Sequence, residues 1–197
     1  MFRRRRQAAA PAPAAAPAAA QAEPQGLGRG LRGAAGKRYR MVQRMVAFGD
    51  DFYIQDDQGA RVFKVDGKAV RVRDTLVFSD MNGQELCKIQ ERMVRIKDTM
   101  EIEGPGGETL AMVKKALISP LRDRYVVKIG NGPDLEVHGN ILDHEFKIMD
   151  GRTTVAEVSK RWFRVRDNYG VEIAPGQQDI LILAAAVCID QMSNPAR

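Results

Sequence analysis

From residue 50 onward, apolar and polar side chains alternate in short runs that stop at glycine-bearing clusters. In MEIEG (100–104), Met100 and Ile102 share one face and Glu101 and Glu103 the other. RYVVKIG (124–130) sets Tyr125, Val127 and Ile129 against Arg124, Val126 and Lys128, and DLEVHG (134–139) sets Leu135 and Val137 against Glu136 and His138. A period of two over four to seven residues predicts half-buried strands. The clusters recur: Gly59, Gly83 and Gly107 are 24 residues apart, Gly132 follows 25 later, and Gly151 makes a fifth. Asn-Gly and Asp-Gly supply the positive φ of a tight antiparallel turn, so each cluster predicts a hairpin tip. Residues 50–160 thus predict five successive hairpins. A first strand near 39–46 and a last near 169–174 bring the count to about twelve. So many strands must close into a barrel or pair into a sandwich, or their edges stay exposed. A solenoid would keep its period, whereas this spacing shortens after Gly132, so a closed meander is expected.

One run breaks the pattern. Ile180–Ile189 (ILILAAAVCI) has no polar side-chain atom except the Cys188 thiol, and Asp179 and Asp190 bracket it. As a helix it reaches only about 15 Å at 1.5 Å per residue. A membrane span needs about 20 residues. A helix apolar all round yet too short to span must be buried by protein on every side. Pro175 and Gly176 punctuate its start, Asp179 suits the positive end of its dipole, and Ser193–Asn194–Pro195 ends it. A barrel of about twelve strands has an interior its own side chains cannot fill. The expected fold is therefore a mainly β, closed antiparallel barrel around a central hydrophobic C-terminal helix.

The segments VSKRWFRVRDNYGVEI (158–173) and DDFYIQDDQGARVFKVDGKA (50–69), with the apolar C-terminal helix, resemble the LURP-one-related family. That family is similar to the C-terminal domain of tubby and to phospholipid scramblases. The resemblance spans about residues 39–192 and implies a twelve-stranded antiparallel barrel around a central helix. For function it implies little beyond phosphoinositide headgroups, bound by tubby-like domains, and calcium-linked lipid movement by scramblases.

Charge changes the picture only at the N-terminus. Of the formal +6, residues 1–40 carry +8, from nine basic residues against Glu23, and the remainder carries −2. Residues 1–36, rich in Arg, Ala, Pro and Gly, read as a disordered tail, with the barrel domain over 37–197. Pro11, Pro13 and Pro17 interrupt the alanine stretch, so no secretory apolar core is expected. Cys87 and Cys188 have apolar neighbours and form no CxxC pair. They read as small buried hydrophobes in a reducing compartment.

The best candidate surface is the basic-aromatic stretch Lys160, Arg161, Trp162, Phe163, Arg164 and Arg166. Guanidinium forks fit phosphate oxygens, and a tryptophan suits a headgroup interface. The competing reading packs Trp162 and Phe163 into the barrel and leaves the basic residues as solvated strand ends, as the usual burial of tryptophan favours. A second cluster is Lys114, Lys115, Arg122 and Arg124, with no aromatic contribution expected. His138 and His144, near Asp143 and Glu145, read as surface polar residues, since no third ligand has zinc-site spacing. DMNGQE (80–85) lacks EF-hand spacing. No GxSxG, P-loop or HExxH occurs. No cofactor, metal or catalytic residue is expected. The reading is a non-catalytic, soluble, cytoplasmic module, peripheral to membranes, that binds an anionic phospholipid headgroup or a protein partner. The alternatives are a scramblase-like protein anchored by Ile180–Ile189, and nucleic-acid contact through Arg3–Arg6.

Overall fold

The alternation becomes twelve antiparallel strands in a computed structural model that describes residues 36–42, 52–70, 73–91, 99–119, 122–162 and 168–193. They are β1 (Lys37–Val42), β2 (Phe52–Asp56), β3 (Arg61–Val70), β4 (Arg73–Asp80), β5 (Glu85–Glu91) and β6 (Thr99–Glu103). Next come β7 (Thr109–Ser119), β8 (Arg122–Ile129), β9 (Asp134–Asn140), β10 (Glu145–Asp150), β11 (Thr153–Ser159) and β12 (Asn168–Ile173). Among the described residues one α-helix, α1 (Asp179–Ser193), follows. Each strand pairs with its sequence neighbours, and β12 returns to β1, so the barrel closes without a free edge. The closing register sets Arg38 opposite Glu172, Tyr39 opposite Val171 and Arg40 opposite Gly170.

Because the strands alternate in direction, the barrel has two ends. The turns 57–60, 81–84, 104–108, 130–133 and 151–152 lie at one end, as does 174–178, from which α1 starts. The turn 141–144 lies at the other end, where α1 finishes. The tips repeat in atomic detail. Asp56 Oδ1 accepts the N–H groups of Gln58 and Ala60, and Asp80 Oδ1 those of Asn82 and Gln84, at 2.8–3.0 Å. These backbone donors hold the Asp80 carboxyl below its usual range. Gly59, Gly83 and Gly107 have φ of 82–83°, as a tip demands. Gly132 departs from the expectation, because its φ is not in the left-handed region. A Cβ there would stand 2.9 Å from Ile129 Cγ2, so close approach is what requires glycine at this tip.

Ten consecutive residues of α1, Leu181–Asp190, are buried. The helix packs on β5, β6, β7 and β12. Ile54, Phe78, Ile102, Val127, Ile148 and Val171, all fully buried, belong to the core it completes. Burying each large apolar side chain contributes about 1.5–3 kcal/mol. Leu181, Ile182 and Leu183 therefore meet barrel side chains, and the anchor role of Ile180–Ile189 gives way to that of a plug. Among the described residues no helix is long and apolar enough to cross a membrane. The plug is fastened at its start, where Asp179 Oδ2 accepts hydrogen bonds from Lys37 Nζ at 2.6 Å and Tyr39 Oη at 2.8 Å. Burial and this carboxylate push the Tyr39 phenol well up.

Both cysteines are buried and free. Burial pushes the Cys87 thiol from 9.0 up to about 12 and raises Cys188 as well. Tyr169 is raised by burial and by Asp190. In all these groups the protonated form is neutral, and the folded state holds its proton more tightly than the unfolded chain. Their contribution is intact below the unfolded values, about pH 9, and is lost as pH climbs toward the raised ones. The melting temperature, followed by circular dichroism, is expected to fall continuously above about pH 9. A flat profile to about pH 11 would contradict the burial of these groups.

Candidate functional site

The candidate surface begins where β11 ends. Glu145 and Ser159 face each other across β10 and β11. Ser159 Oγ donates to the Glu145 carboxylate at 3.0 Å, and Glu145 Oε1 accepts the Lys160 N–H at 3.1 Å. The Arg161 N–H donates to Ser159 Oγ at 3.1 Å. These bonds occupy N–H groups that a helix start leaves unpaired. Lys160–Trp162 accordingly forms a single 3-10 turn, not the strand end expected from the sequence.

That turn packs against β12. Tyr169 and Val171 are core residues, so Gly170 between them faces outward, yet it is buried. Trp162 is half-buried on this outer face, and the Arg38 guanidinium carbon stands 5.0 Å from its ring centre. A cation at that distance is attracted by the ring quadrupole. The expectation that Trp162 fills the barrel is thereby corrected, since α1 already occupies that space. The Arg161 side chain is 83% exposed, with Nε 3.6 Å from Glu145 Oε2, and Lys160 is half-buried. Phe163, Arg164 and Arg166 lie outside the described residues.

Closure of the barrel adds two cations that sequence reasoning missed. Arg38 and Arg40 sit on β1, opposite Glu172 and Gly170 on the outer side of β12. Arg38 Nη2 donates to Glu172 Oε2 at 2.8 Å. The only sequence signal was indirect: a first and a last strand must meet if the meander closes. The surface thus gathers Arg38, Arg40, Lys160, Arg161 and Trp162 beside two carboxylates, Glu145 and Glu172. Such a set can hold an anionic oxygen through charge-assisted hydrogen bonds while the ring offers an amphipathic face.

The second basic cluster does not converge. Lys115 lies opposite Tyr125, so it shares the inward side of β7 and β8, and its Nζ is 5.9 Å from the Tyr125 ring. That is an aromatic contribution the sequence reading did not expect. Lys114 points to the other side, and Arg124 pairs with Glu136 at 2.5 Å, holding that carboxyl low. The Arg122 side chain lies outside the described set.

The histidines part company too. His138 is exposed on β9, with Nε2 3.0 Å from Glu136 Oε2. His144 is 2% exposed and overturns the surface reading. Its Nε2 lies 2.6 Å from Asp190 Oδ1 on α1, and its ring lies 4.4 Å from that of Tyr169. Its Nδ1 is buried with no hydrogen-bond partner among the described residues. His144 has a φ of 52° within the turn 141–144. No group of three or more His, Cys, Asp or Glu capable of holding a metal occurs among the described residues.

Comparison with known proteins matches this architecture. A solved Arabidopsis thaliana protein superposes with a TM-score of 0.57 at 20% identity, covering 81% of this chain and 93% of that one. The Bacillus subtilis protein YxjI is 28% identical over 152 residues, 77% of this chain and 91% of that protein. The family model described as LURP-one-related matches residues 37–190, from β1 to the last turn of α1. The chain belongs to the LURP-one-related family.

Proposed function

We propose that this domain is a non-catalytic binding module that docks on anionic phospholipid headgroups through Lys160, Arg161 and Trp162, joined by Arg38 and Arg40. Arg164 and Arg166 extend the same stretch in the sequence. The observation that carries the reading is the placement of Trp162, half-buried outside the barrel with a guanidinium over its ring. A ring so placed, with Arg38 over it and Lys160 and Arg161 preceding it in the same turn, matches the boundary between headgroups and water. The domain then acts at the periphery of a membrane from the cytoplasmic side, where anionic lipids attract basic clusters.

Co-sedimentation of the full chain with phosphatidylcholine vesicles, with and without phosphatidylserine, tests the reading. Binding is expected only with the anionic lipid, falling with salt and weakened by Trp162→Ala. Equal binding to both vesicles, or none to either, overturns it. A binding activity confined to a protein partner would also overturn it.

A further inference from the structure

The carboxylate beside Arg38 stands between an opposite charge on one neighbouring strand and a like charge on the other. Glu172 lies opposite Arg38 on β1 and opposite Glu157 on β11. Like charges directly opposite one another on a sheet are destabilising. Glu157 has its own partner, Lys147, at 3.4 Å. A neutral side chain at 172 would avoid the repulsion and lose only an exposed ion pair, with side chains 46% and 23% exposed. What the charge does is occupy the guanidinium that also covers Trp162, at 2.8 Å and 5.0 Å respectively.

We propose that Glu172 is a built-in counter-anion: it occupies Arg38 until a phosphate oxygen of the ligand displaces it. This deepens the reading above and rests on it. Glu145 is a different case, because it caps the 3-10 turn through the Lys160 N–H and Ser159 and so holds the site together. Glu172 makes no such contact with the turn among those described. Arg38 has five N–H donors, so it can turn toward a phosphate without leaving the face of Trp162. An exposed pair of this kind is weak, so its displacement is within reach of a modest ligand.

Glu172→Gln keeps the shape and removes the charge. On phosphatidylserine-containing vesicles it is expected to bind about two- to five-fold more tightly than wild type, the range an exposed ion pair spans. Arg38→Gln is expected to erase that gain in the double variant, a coupling that a general change in surface charge would not produce. Glu157→Gln is the control, since it removes the same charge one strand away and is expected to give a clearly smaller gain. Competition with inorganic phosphate separates the two sources of the ligand: relief of binding at millimolar phosphate assigns the site to the phosphate group, and persistence assigns it to the membrane-borne headgroup. If wild type binds anionic vesicles and Glu172→Gln binds no better, or its gain survives without Arg38, the counter-anion role is wrong and the lipid reading stands. If none of the proteins binds, both fall.

Discussion

Leu183→Asp is expected to abolish folding. Leu183 is fully buried in the second turn of α1, inside the ring of strands. A carboxylate there would lose its hydration with no partner in reach, at a cost of several kcal/mol after relaxation. The leucine's own transfer energy, about 1.5–3 kcal/mol, is lost as well. Against a total stability of about 5–15 kcal/mol, little or nothing remains. The variant is expected to lack a cooperative thermal transition in circular dichroism. Leu183→Ala, which leaves only a cavity, is expected to fold with a loss of about 2–5 kcal/mol. A Leu183→Asp protein that melts cooperatively near the wild-type temperature would contradict the plug.

His144→Ala is expected to be the next most damaging change. It removes the imidazole that stands 2.6 Å from Asp190 Oδ1, where both side chains are almost fully buried. The carboxylate also sits in the last turn of α1, where the helix dipole disfavours negative charge. Removing one partner of a buried hydrogen bond costs about 1–3 kcal/mol. The double variant His144→Leu with Asp190→Leu is expected to recover much of that, because both members of the buried hydrogen bond are replaced by apolar groups. Urea denaturation of His144→Leu, Asp190→Leu and the double gives the coupling directly. Additive losses in that cycle would show that the 2.6 Å contact carries no energy of its own.

Legibility from sequence followed the range of the signal. The tips at Gly59, Gly83, Gly107 and Gly151 were readable because a tight turn states its backbone requirement within five residues. The strand faces of 100–103, 124–129 and 134–138 were readable because period two is local. The plug was readable because length and flanking acids together exclude a bilayer. The remainder depended on register between distant strands. Nothing near Arg38 announces Trp162; pairing of β1 with β12 brings them together. Asp190 reads as a polar bracket to an apolar run, and its burial follows only from how far α1 penetrates. His144 looks like a turn residue because it is one, and the groups that bury it, Asp190 and Tyr169, come from α1 and β12. Trp162 was expected inside on the average habits of tryptophan, but the plug had already filled that volume.

The closing seam between β1 and β12, with α1 inside it, has a consequence for biosynthesis. The first strand of the domain waits for the twelfth, and the hollow waits for the helix that comes after. Until β12 and α1 have been made, β1 lacks its partner across the seam and the hollow lacks its plug. Contacts between the beginning and end of a domain are the slowest to form. Every copy thus passes through an interval in which a chaperone, or a neighbouring nascent chain, competes with α1 for the same greasy surface.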